Sequence, residues 1–323
     1  MTGGPLRALA RRAAILALGG GPLMRLRLRR IERTDPLVIL GLHRVAPPDS
    51  SAYRPLDPAM FDALLGFVTE HFTLTGFAEA REPSPRPRMI LTFDDGYRDF
   101  VQYAMPVLKR HQVRVNLNVI PSSVESGLPP LQVLAADFVG QAPPEVASRI
   151  ELPGFDMGDR SGLWPRLDAF LRDRPHEEQQ RIRSSLLDQF RAWDGFRPTP
   201  MMSSDEVRKA AEEGHEIGGH SFDHASMAYA TDDYLLDDVE RCRSWIADAT
   251  GRPMRVYAFP NGSHRPGQAE KVRSAGIEHV LLSGPGFGGA DGIHQRLGFV
   301  AATRREMRFR ALGGLTPLPS GPG

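Results

Sequence analysis

Asp94 and Asp95 stand side by side in Met89-Ile-Leu-Thr-Phe-Asp-Asp-Gly-Tyr97, where a short apolar run delivers both acids into a turn opened by Gly96. Neighbouring residues leaving a strand point in different directions, so adjacent acids at a strand end can take separate jobs around one site. One can hold a metal while the other handles a proton. Alone, an Asp-Asp-Gly is a surface turn. The second half of the constellation is Gly214-His-Glu-Ile-Gly-Gly-His-Ser-Phe-Asp-His224. His220 and His224 lie four residues apart, which puts both imidazoles on one side of a helical turn or tight loop. Two neutral imidazoles and a carboxylate make a facial set for a divalent metal, with positions left for water and substrate. The pair follows Ile217-Gly-Gly219, an apolar-to-glycine transition suited to a strand end.

Thr92-Phe-Asp-Asp-Gly96 followed by His220-Ser-x-x-His224 resembles the polysaccharide deacetylases of carbohydrate esterase family 4, the NodB-homology domain. Tyr257-Ala-Phe-Pro-Asn-Gly262 is similar to that family's aromatic-Pro-x-Gly groove wall, and Met201–Arg208 running into Gly214 is similar to the helix before its His motif. The resemblance spans about Leu37 to Phe299. It implies that Asp95, His220 and His224 hold one divalent ion, zinc, with cobalt or nickel able to replace it, and that Asp94 is the catalytic base. It further implies an N-acetylated glycan as substrate, touched by Tyr97 (through a backbone N–H), Phe259, Pro260, Asn261 and Gly262.

The chemistry calls for these residue types. An amide is a poor electrophile, so hydrolysis gains from an ion that polarises the acetyl carbonyl and lowers the pKa of water. A base must take the water's proton, and an acid must protonate the departing sugar amine. Two histidines compete for the acid role. His43, in Val38-Ile-Leu-Gly-Leu-His-Arg-Val45, resembles the Tyr-His-x-Val opening of some family members, with Leu42 in place of the aromatic. His294, in Ile293-His-Gln-Arg-Leu-Gly298, resembles the later histidine of another branch; a strand-end hydrogen bond is its alternative role. His43 is favoured because its strand end belongs at the same mouth. The family's usual arginine brace for the catalytic Asp is replaced by Ala258, and Arg296 is the candidate substitute. Asn261 stands where a tyrosine is frequent, which weakens stacking on a sugar ring.

Apolar segments recur at Leu37–Leu42, Met89–Phe93, Val113–Ile120, Glu216–Gly218, Val256–Phe259 and His279–Leu282, with a last strand around Arg296 and helical patterns between several. That alternation predicts parallel strands joined by crossover helices, with the chemistry at their carboxyl ends: an α/β fold, a distorted (β/α) barrel of seven strands. Met60, Phe61, Leu64, Leu65 and Val68 form one stripe of a helix over Asp57–His71. Leu235, Val239, Cys242 and Ile246 do so over Asp232–Ala249. A basic, amphipathic or disordered segment occupies residues 1–34, and a deacetylase-like domain 35–303. A Pro/Gly-rich tail covers 304–323. Within the domain, about 121–200 reads as an insertion at the barrel mouth, with a helix from Pro175 to Trp193. Trp164 and Trp193 are its candidates for stacking on sugar.

The chain of 323 residues carries a formal net charge of only +1, yet Arg7, Arg11, Arg12, Arg25, Arg27, Arg29, Arg30 and Arg33 crowd its start. Leu6, Leu9, Ala13 and Leu16 line one helical face there, a pattern that suits an anionic membrane surface or a solvated basic tail. Nucleic acid is not an expected partner, since the remainder has no basic surplus. The lone Cys242 excludes an internal disulfide and fits a reducing compartment. Ala13–Leu18 is too short to span a bilayer. It is marginal as a signal-peptide core, so a retained N-terminus at the cytoplasmic side or inner membrane face is expected, with secretion as the alternative. Two rival functions are a hydrolase of another amide, such as a cyclic imide or ureide, and a carbohydrate-binding protein without catalysis; the latter has no use for Asp94.

Overall fold

The computed structural model describes residues 13, 15, 17, 19–159, 161–172 and 174–319. The expected positions Leu6, Arg7, Leu9, Arg11, Arg12 and Leu16 lie outside the described residues. Helix α1 (Gly21–Thr34) leads into β1 (Val38–Leu42); α2 (Pro58–His71) and the two-residue β2 (Thr73–Leu74) precede β3 (Arg88–Asp95). A π-helical turn and α3 (Met105–Arg110) connect to β4 (Asn116–Val119). After the inserted segment come α9 (Ser204–Glu212), β5 (Glu216–Gly219), α10 (Asp232–Thr250), β6 (Val256–Ala258), α11 (Gln268–Ser274), β7 (His279–Ser283), β8 (Ile293–Gly298) and α12 (Arg304–Ala311).

All pairings between these strands are parallel. The order β1-β8-β7-β6-β5-β4-β3 closes through β1–β3, giving the expected seven-stranded barrel. β2, not foreseen, adds to β3 below β4 through Thr73↔Arg88 and Leu74↔Met89. The closure is uneven: β1 and β3 share five register pairs, whereas β1 and β8 share only Leu40↔Leu297 and Gly41↔Gly298.

Strand alternation sorts the side chains into two layers. Val38, Leu40, Leu42, Leu91, Phe93, Leu117 and Tyr257 face outward into the main core, beneath α2, α9 and α10. Ile39, Ile90, Val256, Ala258 and Leu281 face inward, joined by Phe77 and Ala80 from the β2–β3 connection. The helices start where side chains take up their free N–H groups. Asp57 caps α2, Thr231 caps α10, and Ser203 with Glu206 forms a reciprocal capping box on α9.

The insertion holds more than the one helix expected: α4 (Pro121–Ser126), α5 (Leu131–Gln141), α6 (Pro144–Ala147), α7 (Leu163–Arg172) and α8 (His176–Arg191). It has a core of its own, built around Phe138, Leu167, Leu186 and Phe190, with Phe138 and Phe190 stacked at 4.0 Å. Trp164 and Trp193 pack against that core, so neither is held out as a sugar platform. The segment read as a tail begins with α12, whose Met307 and Ala311 join the main core. No helix among the described residues is long and apolar enough to cross a membrane.

Candidate active site

At the carboxyl end of β3, Asp94 and Asp95 do not follow simple alternation. Asp94 continues the inward series of Ile90 and Thr92. Asp95 has φ 76, and this left-handed turn brings its carboxylate to the mouth as well. Gly96 follows at φ 83, where an added Cβ would lie 3.2 Å from the Val119 side chain, so glycine is favoured. His224, in the loop after β5, is also left-handed at φ 56. Ser221, between the two histidines, is a third at φ 59, and three non-glycine residues held in this sparse region at one site mark strain retained for geometry.

Asp95, His220 and His224 are all buried, and one ligand atom from each converges within 4.8 Å. His220 Nε2 lies 3.3 Å and His224 Nε2 3.6 Å from Asp95 Oδ1. Ligands about 2.1 Å from a tetrahedral centre stand about 3.4 Å apart, so a divalent ion fits this spacing. Two further observations test the fit. Asp95 Oδ1 is buried with no hydrogen-bond donor among the described residues, while its Oδ2 accepts from the Tyr97 hydroxyl at 2.6 Å. His220 Nδ1 lies 2.8 Å from the Ala258 carbonyl, which can only accept, so Nδ1 carries the proton and Nε2 offers its lone pair. Burial holds the His224 pKa down to about 3, against the pull of Asp95, keeping that ring neutral as well. The donor set therefore suits a borderline metal ion such as zinc.

Asp94 is fixed by two donors. Its Oδ1 accepts from Arg296 and from Asn118, both at 2.8 Å. Burial pushes its pKa up, but Arg296, aided by His220 and His43, outweighs burial and holds the carboxyl well below the usual range. Arg296 also donates to Thr92 Oγ1 at 3.1 Å. Asn118 has room because its β5 neighbour is Gly218, where a Cβ would approach Asn118 Oδ1 to 2.2 Å.

His43 is half-buried beyond the end of β1, edge-on to Tyr53 at 6.0 Å, and close enough that its charge affects both Asp94 and His224. His294 is elsewhere. Its Nε2 is 3.0 Å from His279 Nδ1, and its ring lies against His279 and Phe77 inside the barrel, one inward position below Arg296. The structure thus brings His43 to the acid cluster and gives His294 an internal hydrogen bond instead.

One expected substrate contact is corrected. Phe259 is fully buried: it shares the outward face with Tyr257 and packs into the main core, while Ala258 and Pro260 take the inward parity. Tyr97, expected at the substrate only through its backbone N–H, has a buried side chain whose hydroxyl supports Asp95. Asn261, at φ 55, and Gly262, at φ 66, form the turn beyond β6 that carries the remaining groove residues.

Three supports were not foreseen. Asp238, on the buried face of α10, accepts from Ser221 Oγ and the Phe222 N–H at 2.9 Å and from the Tyr257 hydroxyl at 2.9 Å, clamping the loop between the two histidines. Burial pushes its carboxyl up to about 6. Arg44 pairs with Asp99 at 2.9 Å and Asp49 at 2.7 Å beside the Tyr97 ring. Val133 of α5 packs with Tyr53, Tyr97 and Met201, so the insertion forms one wall of the mouth. An acid on an otherwise apolar helical stripe was the available signal for Asp238; the other two depend on long-range contacts.

The polysaccharide deacetylase family model matches residues 81–280, a stretch that contains both acids, both mouth histidines and the groove turn. The chain belongs to the polysaccharide deacetylase family. Its fold is similar to that of a Streptococcus pyogenes deacetylase in complex with acetate, at 13% identity and TM-score 0.58, covering 86% of this chain and 98% of that one. It is also similar to IcaB from Ammonifex degensii, at 18% identity and TM-score 0.56, covering 86% and 97%. A Bacillus cereus polysaccharide deacetylase matches at 13% identity and TM-score 0.55, over 86% of this chain and 69% of that one. Among curated proteins, the uncharacterized Bacillus subtilis protein YlxY is 32% identical over 59 residues, 18% of either chain.

Proposed function

We propose that this deacetylase is a metal-dependent hydrolase that removes N-acetyl groups from an N-acetylated sugar in a polysaccharide or lipid-linked glycan, releasing acetate. The observation that carries the reading is the orphaned Asp95 Oδ1 facing the Nε2 atoms of His220 and His224, directly beside a braced Asp94. Bound there, a divalent ion would supply Lewis acidity toward the acetyl carbonyl and toward water. Asp94 takes the proton of the attacking water, and Arg296 and Asn118 keep its carboxylate ionised and oriented. His43 gives a proton to the departing amine nitrogen. Tyr97 and the Ala258 carbonyl hold Asp95 and His220 in register. A protein that only binds carbohydrate has no use for a braced base.

The test is acetate release from N-acetylated oligosaccharides by protein loaded with zinc, cobalt or nickel. Release should stop with a chelator and return when the ion is restored; no release from any N-acetylated glycan overturns the reading.

A peripheral membrane contact forms part of the proposal. α1 exposes Leu23 (46%) and Leu26 (47%) among Arg25, Arg29, Arg30 and Arg33, none of which has an ion-pair partner among the described residues. Gly19 lies against the Arg305 backbone, and Val300 (61% exposed) follows the carboxyl end of β8. Apolar side chains amid unpaired arginines suit an anionic leaflet, the mark of the cytoplasmic side. Sedimentation with anionic vesicles, but not zwitterionic ones, is expected, and Leu23→Ser with Leu26→Ser should weaken it. Equal behaviour toward both vesicle types would remove this part.

A further inference from the structure

Next to the candidate metal cluster lies a separate cavity of about 220 Å³, bounded by Ser122, Gln132, Gln179, Arg183, Asp223 and His224. It forms where the insertion meets the histidine loop. The Ser122 N–H donates to the Phe222 carbonyl at 3.0 Å, and Gln179 Nε2 donates to Ser226 Oγ at 3.1 Å, so the two walls are joined. Gln132, in the first turn of α5, is only 6% exposed, yet both its Oε1 and its Nε2 lack a hydrogen-bond partner among the described residues. A buried primary amide with both ends unsatisfied is costly to keep. Its neighbour Val133 packs at the mouth against Tyr97, so the turn carrying Gln132 is held in place.

We propose that this cavity is a subsite for the sugar next to the one being deacetylated, and that Gln132 reads that neighbour's acetamido group. A trans secondary amide points its N–H and its carbonyl in opposite directions, so Gln132 engages one of them: its NH2 donates to the acetamido oxygen, while its own amide oxygen accepts from a hydroxyl of the same sugar. A deacetylated neighbour presents an ammonium group instead, which has three donors and no acceptor and leaves the Gln132 NH2 unpaired. His224 lines the same cavity, so an occupant lies beside the reacting centre. The insertion thereby acquires a role in choosing between fully acetylated and partly deacetylated stretches of a polymer. The inference rests on the deacetylase reading.

The experiment compares acetate release from two oligosaccharides of equal length, one with an N-acetylated neighbour and one with a free-amine neighbour. The wild type should favour the acetylated neighbour by about tenfold in kcat/KM, the effect of one neutral hydrogen bond to an NH2 that is otherwise left unpaired. Gln132→Leu should abolish the preference without lowering the thermal midpoint, since an apolar replacement removes an unsatisfied amide. Gln132→Glu should invert it, because a carboxylate accepts from the ammonium. A wild type indifferent to the neighbour, or a preference unchanged in both variants, overturns the subsite while leaving the deacetylase reading intact. A drop of several degrees in Gln132→Leu overturns it too, because the amide would then be bonded within the protein. Failure of the wild type to release acetate from any oligosaccharide sinks both readings together.

Discussion

His220 and His224 at the mouth and His279 and His294 inside the barrel are both close pairs, with ring centroids 5.2 Å and 5.3 Å apart. The interior rings hydrogen-bond to each other through one nitrogen each and lie against Phe77, and His294 Nδ1 is left without a partner among the described residues. At the mouth, the rings turn their Nε2 atoms toward a carboxylate oxygen that has no other partner. Burial is common to both regions; it leaves His224 with a pKa of about 3 and His279 and His294 at about 4. What distinguishes a candidate ligand pair from a structural one is therefore the unsatisfied acceptor beside it, a property of neighbours far away in the chain.

The sharpest way to break this comparison is to remove one member of each pair. His220→Ala should abolish stoichiometric zinc binding and reduce turnover to background, whereas His294→Ala should keep its metal by elemental analysis. Loss of metal in both would erase the distinction. Next in size, Asp94→Asn should leave metal content near wild type and cut kcat by about 10²–10⁴-fold, the usual weight of a general base; equal metal loss in Asp94→Asn and Asp95→Asn would mean the two acids are misassigned. His43→Ala should lower kcat and kcat/KM together, because an acid acts in the transition state. His294→Ala should act mainly on stability, and the reverse pattern would hand the acid role to His294.

Supports should show smaller effects. Tyr97→Phe removes the one donor to Asp95 Oδ2 and should weaken metal affinity by about 10–100-fold with the fold intact; unchanged affinity in a competition assay would make that hydroxyl incidental. The smallest effect concerns pH. His279 and His294 have folded pKa values near 4, below the unfolded value of about 6.5. Their contribution to stability is present above pH 6.5 and is lost as pH falls toward 4, since the unfolded chain then binds more protons. Glu216, pushed up to about 7 by burial, works in the opposite direction, so the reading must be differential. Urea titrations of wild type and His279→Gln with His294→Gln should diverge less at pH 5 than at pH 7. A constant difference between the two would exclude the interior pair as the titrating groups.

Much of this was legible because the key signals are local. Asp-Asp-Gly and His-x-x-x-His are contiguous strings, and each barrel strand is a short apolar run. Arg296 could be placed because its strand was recognisable. Asp238 hid within the apolar stripe of α10, and Asn118 gave no sign of its bond to Asp94 across neighbouring strands. The error at Phe259 was avoidable in principle: it shares parity with Tyr257, and two aromatics two residues apart on a strand face the same layer. The left-handed backbone at Asp95 was hidden, since aspartate at a strand end is ordinary and only Val119 opposite Gly96 fixes the turn. The helices of the insertion escaped notice because several are short and interrupted by proline.

The thin seam between β1 and β8 has a consequence for the order of assembly. The three candidate metal ligands have all been made once residue 224 has left the ribosome, but Arg296 follows Asp94 by 202 positions and reaches it only when the last strand docks. A nascent chain halted before β8 would be an open sheet with a complete ligand set and a base held by Asn118 alone. Metal capture can thus precede competence, and catalysis is among the last properties the emerging polypeptide acquires.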